Sequence, residues 1–60
     1  MTQLEPLPVI IKLYPNRRLY DGEVGAYRSL EELRAWKHHQ VPFLIVDSNT
    51  GDDVTDRILS

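Results

Sequence analysis

A proline placed directly after a strand-forming run fixes more about this chain than any other feature. Residues 9–14 read VIIKLY, β-branched and aromatic, and Pro15-Asn16 separates them from RRLYD. Two such runs around a turn pair predict a β-hairpin. A two-residue loop would pair Tyr14 with Arg17, but such loops use primed turns that need positive φ, which proline cannot adopt. A four-residue loop over residues 15–18, built on a type I turn with Pro15 second, satisfies the proline. That register pairs Leu13 with Tyr20 and Lys12 with Asp21, and puts Arg17 and Arg18 at the tip.

A hairpin does not persist alone in water, so the remaining residues must supply its core. The chain has sixty residues, enough for one small domain. It contains no cysteine, which removes disulfides and thiolate zinc sites. Cores this small are usually reinforced by disulfides, metal or subunit association, and of these association is the expected one. With 42% hydrophobic and 27% charged residues the composition is that of a folded domain.

The punctuation of the sequence gives the rest. MTQLEPLP, residues 1–8, carries two prolines and is expected to be an irregular lead-in to a domain over residues 9–60. Gly22 and Gly25 bracket a second turn, followed by AYRS, a short strand or an extended lead into a helix. Ser29 and Glu32 have the spacing of a capping box, so a helix should begin there. Leu30, Leu33 and Trp36 give it one apolar stripe, Lys37, His38 and His39 suit its negative end, and Pro42 lies beyond its stop. VPFLIV predicts a buried strand, and DSNTGDDVT turns and returns as a second hairpin. Thr55 is the expected N-cap of a last helix that the chain begins and does not finish. The expected class is therefore α+β: two β-hairpins flanking a central helix, with the start of a C-terminal helix.

Function classes narrow by the same reasoning. Asp47 and Asn49 are spaced somewhat like a calcium loop, but the closing glutamate and the preceding helix are missing, so a solvated turn is the preferred reading and no metal is assigned. His38 and His39 lie about 100° apart on a helix and cannot share a metal as an i, i+4 pair does. No nucleophile, base and orienting carboxylate can be assembled from local sequence, and no cofactor motif is present, so no enzyme is expected. No run approaches the roughly 18 apolar residues of a membrane span, and no secretory signal opens the chain, which reads as cytoplasmic. The net charge of −2 argues against coating nucleic acid by bulk attraction. The charge is uneven, however: Lys12, Arg17, Arg18, Arg28, Arg34 and Lys37 precede an acidic end holding Asp47, Asp52, Asp53 and Asp56. Adjacent arginines at a hairpin tip serve either solubility or recognition of phosphate and guanine, for which the guanidinium fork offers paired donors. A two-stranded ribbon fits the major groove of DNA.

IIKLYPNRRLYD, YRSLEEL and FLIVDSNTGDDVTDRIL, in this order, resemble the N-terminal domain of bacterial polyhydroxyalkanoate synthesis regulators, over residues 10–59. The resemblance implies a cytoplasmic, DNA-binding domain of a transcriptional repressor that controls polyester synthesis and granule-associated genes. The resemblance further implies a regulator that binds promoter DNA and the polymer granule, the latter through regions outside this chain. The shared segment carries over as Lys12, Tyr14, Pro15, Asn16, Arg17, Arg18, Leu19, Tyr20 and Asp21. Leu13 and the helix end WKHHQ depart from the family pattern. The expected DNA contacts are Arg17 and Arg18, with Lys12 as a flanking phosphate contact, Asn16 at the tip, Tyr14 and Tyr20 orienting the ribbon, and Arg28 as a further cation. Two or more chains would double the phosphate contacts and match a palindromic site. The competing expectation is an oligomerisation or docking domain that associates through apolar residues near Ile58 and Leu59 and makes no DNA contact.

Overall fold

The computed structural model describes residues 7–60, so most of the expected lead-in lies outside the described residues. Six elements follow: β1 (Val9–Leu13), β2 (Leu19–Asp21), β3 (Ala26–Arg28), α1 (Leu30–His38), β4 (Phe43–Asp47) and α2 (Thr55–Leu59). The strands form one four-stranded sheet in the order β3-β2-β1-β4. β1 and β2 pair antiparallel, as do β2 and β3, whereas β4 returns beside β1 in parallel. The α+β class is that expected from the sequence.

Alternation along the strands decides the two faces of the sheet. Ile11, Leu19 and Ile45 point to one side and meet Leu33 of α1 and Val54 to form the buried core. Leu30 and Trp36 continue the stripe of α1 onto that core, and Trp36 meets Phe43 edge to face at 5.7 Å between ring centroids. The other side of the sheet bears Ile10, Lys12, Tyr14, Tyr20 and Tyr27, of which Ile10, Lys12, Tyr14 and Tyr27 are exposed.

Helix α1 forms where its capping box places it. Ser29 accepts the N–H of Glu32 and the Glu32 carboxylate accepts the N–H of Ser29, at 3.1 and 2.9 Å. The helix ends before Pro42, through Gln40 at φ 62°. Gln40 N–H donates to the Lys37 carbonyl and Val41 N–H to that of Trp36, the paired closure of a Schellman motif.

Three expectations are corrected. The first hairpin pairs Leu13 with Leu19, Lys12 with Tyr20 and Ile11 with Asp21, one residue away from the expected register. Its loop has three residues, closed by Arg17 N–H to the Tyr14 carbonyl at 2.8 Å and Tyr14 N–H to the Arg18 carbonyl at 3.0 Å. Pro15 keeps its turn position, and Arg17 supplies the left-handed backbone that such a loop needs. The winning register sets Leu13 and Leu19 on the core face together, which a one-residue slip would forfeit.

The return after β4 is narrower than a hairpin of two strands. It closes through a single antiparallel bridge, Val46 with Asp53, because residues 53–55 dock on the outer edge of β4 and then enter α2. Thr55, the expected N-cap, is the first helical residue, and Val54 precedes it without a side-chain cap. The Thr55 hydroxyl instead accepts the N–H of Ile45 at 2.8 Å and donates to Asp53. Ile58 and Leu59 are half-buried and pack against the core.

Candidate nucleic-acid interface

The tip of the β1–β2 hairpin is built from backbone constraints that leave its cations outward. Asn16 accepts the N–H of Arg18 on its side-chain oxygen at 3.2 Å, which steadies the loop in the absence of strand pairing. Arg17 stands at φ 66°, a conformation that costs an L-residue about 1 kcal/mol or more and that glycine adopts freely. A charged side chain therefore occupies the one loop position where glycine would be the relaxed choice.

Lys12, Arg17 and Arg18 are exposed, and the ion pairs among the described residues involve Arg28 alone. Behind the tip the registers align Lys12, Tyr20 and Tyr27 in one row across three strands. Tyr20 meets Tyr27 edge to face at 5.3 Å and Tyr14 at 6.4 Å, so the three rings form one array beside the arginines. Arg18 places its guanidinium carbon 5.1 Å from the centre of the Tyr27 ring, within cation–π range. No carboxylate stands on this face of β1, β2 or β3, since Asp21 points into the opposite side with Leu19.

Arg28 lies elsewhere, and its engagement differs in kind. Its Nε and Nη2 donate to Oδ2 of Asp21 at 3.2 and 3.1 Å, its Nη1 to Glu32 at 3.3 Å, and its guanidinium packs 5.1 Å from the centre of the Trp36 ring. It clamps β3 to β2 and to α1. Between the tip, the turn after β4 and the start of α1 runs an open groove of about 700 Å³, floored by Leu13, Leu19, Leu30 and Ile58 with Arg17 and Arg28 at its sides.

The two remaining polar clusters resolve as local structure. Asp47 accepts the N–H groups of Asn49 and Thr50 at 2.7 and 3.1 Å, so its carboxylate holds its own turn, with Gly51 at φ 81° closing it. His38 and His39 are exposed side by side at the end of α1, and among the described residues no three histidines or carboxylates converge as a metal site would require.

Sequence reasoning brought Lys12, Tyr14, Asn16, Arg17, Arg18 and Tyr20 to one hairpin, and the structure places them there. It missed Tyr27. The signal was available in the turn length, since a four-residue loop over residues 22–25 sets Asp21 opposite Ala26 and hence Tyr20 opposite Tyr27.

A family model for the PHB/PHA accumulation regulator DNA-binding domain matches residues 10–60, nearly the whole chain. The chain belongs to this family. The match takes in the hairpin with its arginine tip, the tyrosine row and α1. Among relatives of this accumulation regulator domain, an uncharacterized protein of Allochromatium vinosum is 48% identical over 50 residues, which cover 83% of the chain and 33% of that protein. A Thiocystis violacea protein described as an uncharacterized protein in the phbA 5′ region is 46% identical over 50 residues, covering 83% of the chain and 36% of its own length. The chain thus spans about a third of the curated relatives it matches. No solved structure matches it. Among the described residues no helix is long and apolar enough to cross a membrane.

Proposed function

We propose that this domain is the non-enzymatic, promoter-binding part of a cytoplasmic repressor of polyhydroxyalkanoate synthesis, and that its hairpin tip contacts the DNA. The observation that carries the reading is Arg17, a cation held in left-handed backbone beside Arg18, both exposed and outside the ion pairs of the described residues. Backbone strain kept at a surface tip marks a position where the side chain matters more than local stability. Arg17 and Arg18 offer forked donors to phosphate or guanine, Asn16 an amide to a base edge, and Lys12 a flanking phosphate contact. Tyr14 and Tyr20 brace the ribbon. Arg28 belongs to the support of this surface, because Asp21 and Glu32 already engage its guanidinium.

Three cations per chain make a weak phosphate anchor, so two or more chains acting together on a palindromic site complete the proposal. Family membership and the relative from a phbA 5′ region support a place in polyester metabolism. Contact with the polymer granule is assigned to parts of the regulator beyond this chain. The test is fluorescence anisotropy with a polyester-operon promoter duplex against a scrambled duplex, at low and near-physiological salt. The Arg17→Ala/Arg18→Ala variant should lose affinity and flatten the salt slope by about 0.9 for each phosphate contact removed. Equal, weak binding to both duplexes that the variant leaves unchanged would favour a domain that only assembles the regulator.

A further inference from the structure

The three tyrosines do more than brace a hairpin. A concave site of about 660 Å³ opens on the outer sheet face, lined by Tyr14, Pro15, Asn16, Arg18, Tyr20 and Tyr27. Every lining residue is aromatic, cationic, an amide or a proline. Tyr27 is 57% exposed on edge strand β3, and Tyr14 is 37% exposed at the base of the loop. We infer that this face is a stacking site for an unpaired nucleobase, so that the domain holds single-stranded or locally opened DNA beside the duplex contact made by its tip.

Three features of the site favour a nucleotide over an apolar partner. The guanidinium of Arg18 already rests within 5.1 Å of the centre of the Tyr27 ring, which identifies that ring as a reachable π surface for a flat cation or a flat base. A base stacked there would bring its phosphate to Arg18, which lies beside that ring, with Lys12 two strands away in the same row and no carboxylate on this face of β1, β2 or β3. Asn16 uses its carbonyl oxygen to hold Arg18 N–H, which leaves the amide nitrogen as a donor toward a base edge. Aromatic rings interleaved with cations on an open sheet face are the physical basis of single-strand binding, in which each stacked base adds affinity with little regard to sequence.

This inference rests on the DNA-binding reading above, and the experiment separates the two. Anisotropy is measured with labelled oligothymidylate, which forms no duplex, and with the promoter duplex, for the chain and for its Tyr27→Leu, Tyr27→Phe and Arg17→Ala/Arg18→Ala variants. Tyr27→Leu should weaken oligothymidylate binding about 5- to 100-fold and duplex binding far less, while Tyr27→Phe, which keeps the ring, should hold near the parent. Tyr27 is exposed, so circular dichroism of the leucine variant should match the parent. Oligothymidylate binding that depends on the arginines and ignores Tyr27→Leu would overturn the stacking site and leave the duplex reading intact. Sedimentation showing a multimer of the chain that Tyr27→Leu reduces to single chains would also overturn it, and would assign the face to a second copy. Failure to bind either DNA would overturn both readings.

Discussion

Arg28 donates through Nε and Nη2 to the same Oδ2 atom of Asp21, at 3.2 and 3.1 Å, and Asp21 is the one buried charged residue among the described residues, 2% exposed. The pair joins β2 to β3, and Arg28 reaches on to Glu32 and Trp36 of α1. Removal of the cation leaves a buried acid with Glu23 N–H as its remaining hydrogen-bond donor. Arg28→Ala should therefore cost about 3 kcal/mol, comparable with the whole stability of so small a domain. Adding Asp21→Asn should recover part of the loss, because a neutral amide is cheaper to bury than an unpaired charge. Urea unfolding of the single and double variants measures this, and a single variant within about 0.5 kcal/mol of the parent would refute the clamp.

Gln40 closes α1 in left-handed backbone, where glycine carries no steric penalty. Gln40→Gly should raise stability by about 0.5–1 kcal/mol, seen as a Tm increase of several degrees in a calorimetric scan. A lowered Tm would mean that the Gln40 side chain makes a contribution larger than the strain.

Arg17 is the other non-glycine residue in this conformation among the described residues, with a different expected outcome. Arg17→Gly should stabilise the domain by a similar amount while weakening promoter binding, a trade between stability and function at one residue. Thermal melts and anisotropy on the same preparation test both halves. A glycine variant that binds DNA as the parent does would remove Arg17 from the contact scheme.

The capping box predicts an acid dependence. The Ser29 backbone N–H, with Arg28 alongside, holds the Glu32 carboxyl below its ordinary value, and the hydroxyl and N–H of Thr55 do the same for Asp53. Both folded-state pKa values are depressed, so their stabilisation is complete above the unfolded values near pH 4 and is lost as pH falls through the folded ones. Glu32→Gln should flatten the fall in urea midpoint on acidification, and Ser29→Ala should cost about 1 kcal/mol at neutral pH. An unchanged acid slope in Glu32→Gln would show that the box does not contribute.

Local chemistry was legible in the sequence and long-range choice was not. Ser29 and Glu32 sit three residues apart and each caps the other's backbone N–H, so spacing alone locates α1. The hairpin was visible for the same reason. Its register was not, because it depends on Arg17 accepting a conformation that residue identity argues against. The apolar runs VIIKL and FLIVD both lack clean alternation, the pattern of strands paired in parallel, but nothing local says that they pair with each other. Thr55 reads as a helix cap from its neighbours in sequence, whereas its hydroxyl accepts the N–H of Ile45, ten residues away. Of the candidate interface, the cations came from composition and the Tyr27 row only from register.

Ile11 and Ile45 lie side by side although β2, β3 and α1 all intervene between them. The hairpin, a local element, can close within microseconds, but it stays marginal until β4 arrives to flank β1. Closing that long loop is the slow, entropically costly event in the search for the native state. During synthesis the arginine tip would therefore emerge and fold first, yet be held in place last, and every variant that delays β4 should slow refolding without touching the tip itself.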